Sequence, residues 1–137
     1  MQYIIGEKAT VSKTISETDV YLFAGISGDF NPVHINKVEA AKSMFGKQIV
    51  HGILVGSLIS NVIGMKLPGT GTIYMEQNLK FLKPVYIGDT ITAQVEIAEI
   101  LNLEKRIIKL NTIAFNQDME NVITGYAIVK APKEGEN

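Results

Sequence analysis

Between Ile53 and Met65 the chain reads Ile-Leu-Val-Gly-Ser-Leu-Ile-Ser-Asn-Val-Ile-Gly-Met, thirteen residues that are almost all apolar or small. A run this short falls below the roughly 20 residues that cross a bilayer. A helix apolar on every side must instead be buried inside a fold. Whatever this chain forms must therefore surround one helix. Of its 137 residues 46% are hydrophobic and 20% charged, which suits one core of ordinary domain size and argues against disorder. The expectation is one domain over 1–137, with a charged, frayed tail at 132–137.

The remaining question is what covers the helix. After Leu67-Pro68-Gly69-Thr70-Gly71 the character changes: Thr72–Leu82, Thr90–Leu101, Arg106–Asn116 and Val122–Ala131 are each rich in β-branched residues. Turn residues at Lys83-Pro84 to Gly88-Asp89, Asn102–Lys105 and Asn116–Asn121 separate them, as expected of strands. Links this short imply antiparallel neighbours, because a parallel crossover takes a dozen or more residues. Upstream, Lys8–Ser16 alternates like a further strand. Ser16 caps a helix with Glu17 and Asp19 in its first turn, Val20, Phe23 and Ala24 at helical spacing, and Gly28 at its end. Asp29–His34 predicts a tight loop around Asn31-Pro32. Asn36 with Glu39 predicts a capping box, opening a short helix through Phe45 that Gly46 ends. A sheet with one apolar face and a helix apolar all round bury each other when the sheet wraps the helix. That is an α+β hot-dog fold, an antiparallel β-sheet around a central hydrophobic α-helix. The long edges of such a sheet are usually paired with a second copy, so a homodimer at least is expected.

Composition removes several functions. Thirteen basic against fourteen acidic side chains leave a net charge of -1, which gives no pull toward nucleic acid or an anionic membrane. Without cysteine there is no disulfide, no thiolate nucleophile and no cysteine-held metal. The start, Met-Gln-Tyr-Ile-Ile-Gly-Glu-Lys, lacks a basic segment followed by an apolar run, so a cytoplasmic location is expected. The glycine-rich Leu67–Thr72 lacks the Gly-Lys-Ser/Thr ending of a phosphate loop, and no Gly-x-Ser-x-Gly or His-Glu-x-x-His string occurs. Two histidines far apart with one aspartate nearby predict no metal site.

The chemistry that remains gathers around those histidines. Asp29 and His34 lie five residues apart on a segment braced by Pro32. A carboxylate and an imidazole held close could grip one water, one accepting its proton and the other orienting it. Singly, each residue reads more simply as a turn cap and a loop histidine. His51-Gly52 opens the apolar helix, where backbone N–H groups have no intrahelical partner. Gly52 lets a ligand approach the backbone, so its N–H could polarise a carbonyl; equally, it could only permit a sharp entry while His51 caps or packs. Ser57 and Ser60 read first as helix hydroxyls bonded back one turn, with an orienting role toward Asp29 and His34 open to Ser60.

Ser27-Gly28-Asp29-Phe30-Asn31-Pro32-Val33-His34 resembles the hydratase-2 motif of MaoC-like (R)-specific enoyl-CoA hydratases. Ile49-Val50-His51-Gly52, Leu67-Pro68-Gly69-x-Gly71 and Phe81-x-x-Pro84-Val85-x-x-Gly88-Asp89 are similar to that family in the same order. The length resembles its short members that feed polyhydroxyalkanoate synthesis. The resemblance implies reversible hydration of trans-2-enoyl-CoA to (R)-3-hydroxyacyl-CoA. It implies that Asp29 and His34 activate the water, that the Gly52 N–H binds the thioester carbonyl, that Asn31 braces the loop, and that Ser60 supports Asp29. The substrate brings its own CoA, and no metal or redox cofactor is implied. A dehydratase acting on acyl carrier protein would use similar chemistry, and a non-catalytic acyl-thioester-binding subunit would share the fold. A hot-dog thioesterase usually carries a carboxylate on its central helix or a neighbouring strand, and Ile53–Met65 has none.

Overall fold

A computed structural model describes residues 3–133. Most of the expected charged tail, 134–137, lies outside the described residues. The elements run β1 (Lys8–Thr14), α1 (Glu17–Ser27), α2 (Pro32–Ile35), α3 (Lys37–Lys42), α4 (Gly52–Met65), β2 (Ile73–Phe81), β3 (Thr90–Asn102), β4 (Ile107–Phe115) and β5 (Asn121–Lys130). The apolar run forms α4, and every β-branched stretch forms a strand.

Val55, Leu58, Ile59, Val62 and Ile63 make the buried stripe of α4, at the i, i+3, i+4 spacing that puts them on one helix face. They meet the alternating inward residues of the sheet: Ile91, Ala93, Val95 and Ile97 of β3, Ile108 and Leu110 of β4, and Ala127 and Val129 of β5. Each large side chain buried in this way contributes about 1.5–3 kcal/mol. The opposite face of α4 is not covered: Ile53, Ser57, Ser60, Asn61 and Met65 are exposed. The expectation of a helix buried all round therefore holds for one face only, because one five-stranded sheet curls over one side of it. Among the described residues no helix is long and apolar enough to cross a membrane.

The sheet is antiparallel throughout, in the order β1-β3-β4-β5-β2. This corrects the inference that each turn joins neighbouring strands. β3, β4 and β5 do form a meander, but β2 pairs with β5 rather than with β3. The link between β2 and β3 is not a hairpin turn. It buries Val85 and bridges Ile49 to Tyr86, carrying the chain across the end of α4 to the other half of the sheet.

Two local expectations also change. His34 lies not in a loop but in the single turn of α2, which Asn31 caps and Pro32 opens. The reciprocal capping box forms at Ser16 and Asp19. At Asn36 only half of one forms: its Oδ1 accepts from the Val38 and Glu39 N–H groups, while its own N–H donates to Pro32 O. Helix α3 stops at Lys42 rather than Phe45, as Ser43 turns extended and bonds back to Ala40 O through its hydroxyl.

Candidate active site

Gly28 ends α1 in the left-handed conformation, at φ 80°, and its N–H donates to Ala24 O at 2.8 Å. A side chain would be strained there. The turn aims the chain into a run of side-chain braces. Ser27 Oγ accepts from the Asp29 N–H at 3.1 Å, Asp29 Oδ1 from the Asn31 N–H at 3.2 Å, and Asn31 Oδ1 from the Val33 N–H at 3.2 Å. Asn31 thus braces the segment between Asp29 and His34, and the Asp29 carboxylate stays exposed.

His34 is fixed from the other side by the strap leading into α4. Its Nδ1 lies 2.8 Å from Ile49 O. A carbonyl oxygen only accepts, so Nδ1 carries the proton and the Nε2 lone pair is left available. Burial pushes the His34 pKa below its ordinary value; the bond to Ile49 O opposes this, the neighbouring His51 adds to it, and Asp29 opposes it. Gln48, 7% exposed, donates through Nε2 to His34 O at 2.7 Å and to the Tyr21 hydroxyl at 3.3 Å, and the Ile49 N–H donates to Val33 O at 3.2 Å.

His51 is 2% exposed, and its Nε2 lies 3.0 Å from Asp29 O. Its ring stacks on His34, with centroids 4.0 Å apart and 28° between planes, and the Phe23 ring lies 4.8 Å away. The two histidines, distant in sequence, are therefore adjacent. A potential ligand atom from each of Asp29, His34 and His51 lies within 4.8 Å of the others. One nitrogen of each ring already faces a carbonyl oxygen, His34 Nδ1 on Ile49 O and His51 Nε2 on Asp29 O, so each ring has one nitrogen left to offer.

Gly52 is the first residue of α4, and its N–H has no partner among the described residues. Gly52 and His34 line the same cavity, of about 450 Å³, whose apolar wall includes Phe45, Phe81, Val85 and Ile123. His34 and an unpaired backbone N–H thus line an apolar chamber, with the Asp29 carboxylate close to His34. That combination can hold a water against an electron-poor carbon while a donor stabilises a carbonyl oxygen.

Ser60 stands apart: it is exposed on α4 and makes no hydrogen bond with Asp29. Ser57 bonds back to Leu54 O at 2.5 Å, as a helix serine does. Lys83 at the cavity wall pairs with Glu120. Sequence reasoning missed Gln48 and Phe81 as parts of the site. Gln48 carries no motif; Phe81 stood in a motif but without a role, and its contact with Gly52 exists only in three dimensions.

A family model described as "MaoC like domain" matches residues 3–117. The chain is 45% identical to the (R)-specific enoyl-CoA hydratase of Rhodospirillum rubrum, over 95% of this chain and 89% of that one. The structure of an R-hydratase, PhaJ1 of Pseudomonas aeruginosa in unliganded form, superposes with a TM-score of 0.92 at 42% identity, covering 96% and 84% of the two chains. An (R)-hydratase from A. caviae, described as involved in PHA biosynthesis, superposes at 0.91 with 43% identity, over 95% and 98%.

Proposed function

The chain belongs to the MaoC-like domain family, and within it we propose an (R)-specific enoyl-CoA hydratase that adds water reversibly to trans-2-enoyl-CoA, giving (R)-3-hydroxyacyl-CoA. The observation that carries this reading is the sharing of one apolar cavity by His34 and the unpaired Gly52 N–H, with Asp29 beside His34. In the proposed reaction the water donates one hydrogen to the Asp29 carboxylate and the other to His34 Nε2. Its oxygen bonds to Cβ as Asp29 takes the proton, and the Cα–Cβ π electrons move toward the thioester. The Gly52 N–H meets the charge growing on the carbonyl oxygen. Transfer of that proton from Asp29 to Cα then completes the addition and restores the carboxylate, so that the two hydrogens and the oxygen of the water all end on the product. No electrons change hands, so the scheme calls for no redox group, and the CoA arrives with the substrate.

We take the whole chain as one working domain that acts as a homodimer in the cytoplasm. Support for pairing comes from the uncovered face of α4 and from β2, an edge strand that exposes Ile73, Tyr74, Met75 and Phe81. Ser60 sits on that uncovered face, where a second copy could bring it toward a site.

The test is direct. The purified protein is mixed with crotonyl-CoA, and loss of the conjugated enoyl-thioester absorbance is followed with the configuration of the product. Formation of (R)-3-hydroxybutyryl-CoA is the expected result. Turnover only of carrier-protein substrates would instead make it a carrier-protein dehydratase. Release of free CoA, or no turnover of any acyl thioester, would overturn the reading.

A further inference from the structure

We propose that His51 is a positioning residue of the hydration centre, tying the Asp29 segment to the N-terminus of α4 through its Nε2–H and setting the plane of His34 through its ring. The inference rests on the hydratase reading and extends it to a residue that need not touch substrate.

The place His51 occupies is unusual for its chemistry. Helix N-caps are normally Ser, Thr, Asp or Asn, whose side chains bond a free N–H of the first turn. His51 stands at the N-cap of α4 and makes no such bond, forgoing about 1 kcal/mol of helix stabilisation. Its side chain turns inward and is 2% exposed. There Nε2 lies 3.0 Å from Asp29 O, twenty-two residues away in sequence. Because the acceptor is a carbonyl, Nε2 must carry the proton. Nδ1 is then left buried with no partner. Buried polar atoms are rarely left so, and one orphaned at a reaction centre marks a residue kept for what its other atoms do.

What those atoms do is geometric. The next residue is Gly52, whose N–H is the proposed carbonyl donor, and the carbonyl His51 holds belongs to Asp29, the proposed base. One side chain therefore sets the distance between the two groups that must act on opposite ends of the enoyl unit. The same ring lies 4.0 Å from that of His34. With Nδ1 of His34 anchored on Ile49 O, the stacked ring restricts rotation and leaves Nε2 one direction to face. The titratable groups that act on His34 are His51, which favours its neutral form, and Asp29, which favours its charged form.

Two substitutions in the full chain separate the donor from the ring. His51→Phe keeps a flat buried ring and loses only one bond and an atom that had no partner, while the exposed Asp29 segment can find water. His51→Gln keeps an amide donor and loses the ring. Steady-state hydration of crotonyl-CoA across pH, with thermal melts, gives kcat and KM for each beside the wild type. In His51→Phe kcat falls about 100-fold, the cost of a misplacement near 1 Å, while KM stays within about threefold. His51→Gln recovers at least about tenfold of that loss, and the acid limb of its kcat/KM profile moves to higher pH. Folded variants with wild-type kcat and an unmoved acid limb would overturn the proposal. So would losses that follow only lowered melting temperatures, with no rescue by Gln. A wild type that hydrates no acyl thioester would defeat the hydratase reading first, and the positioning role with it.

Discussion

Gly52 offers the sharpest link between packing and turnover. A Cβ built there would sit 2.6 and 2.8 Å from two ring carbons of Phe81, whereas carbon atoms in contact settle at about 3.5–4.0 Å. The shortfall is about 1 Å, and something must move. Phe81 is 53% exposed on the edge strand β2, so its ring is freer to move than the helix. Alanine also gains up to about 1 kcal/mol over glycine in helix propensity. The two effects offset, and Gly52→Ala should change stability by no more than about 1 kcal/mol, a few degrees in melting temperature. Turnover should not survive as well. Either the displaced ring reshapes the cavity wall beside the thioester, or the new methyl stands between the carbonyl and the N–H. Loss of one such donor costs about 10²–10³-fold in kcat, or about 2.7–4 kcal/mol. Steady-state kinetics on crotonyl-CoA for Gly52→Ala and the bulkier Gly52→Val, with a melt for each, decides the matter. A folded Gly52→Val with wild-type kcat/KM would remove the carbonyl site from Gly52.

Asp29→Asn retains the oxygen that accepts the Asn31 N–H at 3.2 Å, so its melt should stay within about 2 °C while kcat drops about 10²–10⁴-fold for want of a base; near-normal turnover would show that the base lies elsewhere. Burial holds the His34 imidazole below its ordinary value of 6.5, so Nε2 stays open as an acceptor at neutral pH and is lost only on acidification. The acid limb of kcat/KM should therefore have its midpoint below 6.5, and a midpoint at or above that value would contradict the assignment. At Gly125 on β5 a Cβ would lie 1.9 Å from Asn78 O on the paired strand. Gly125→Ala should cost about 1–3 kcal/mol or more and lower the melt by at least about 3 °C, and an unchanged melt would mean the strands do not approach that closely.

What sequence made legible was whatever repeats locally. The apolar run became α4, and the β-branched stretches became strands, because helix and strand periods are written into neighbouring residues. The Ser16 and Gly28 ends of α1 were readable for the same reason. Pairing partners were not, since the link after Phe81 has turn residues at both ends and hides in Val85 the one side chain that sends it across the core. The exposed face of α4 also escaped notice, because apolarity states what can be buried and not whether one chain supplies enough cover. At the site, Asp29, Asn31 and His34 could be grouped within one short segment. The stacking of His51 on His34 could not, for it depends on Ile49 and Gln48 fastening the strap to α2.

The strand order also sets a timetable for assembly. β1 waits for β3, with hydroxyl contacts spanning 76 and 80 residues, and β2 waits for β5, with Gln77 reaching Tyr126 O across 49 residues. Such distant pairings are entropically costly to close and slow folding. During synthesis α4 and β2 leave the ribosome well before the strand that seats β2 against the sheet. Phe81, on β2, and Val122 and Ile123, on β5, all line the cavity that His34 and Gly52 share. No nascent fragment ending before β5 can contain that cavity, so its wall closes only as β5 arrives.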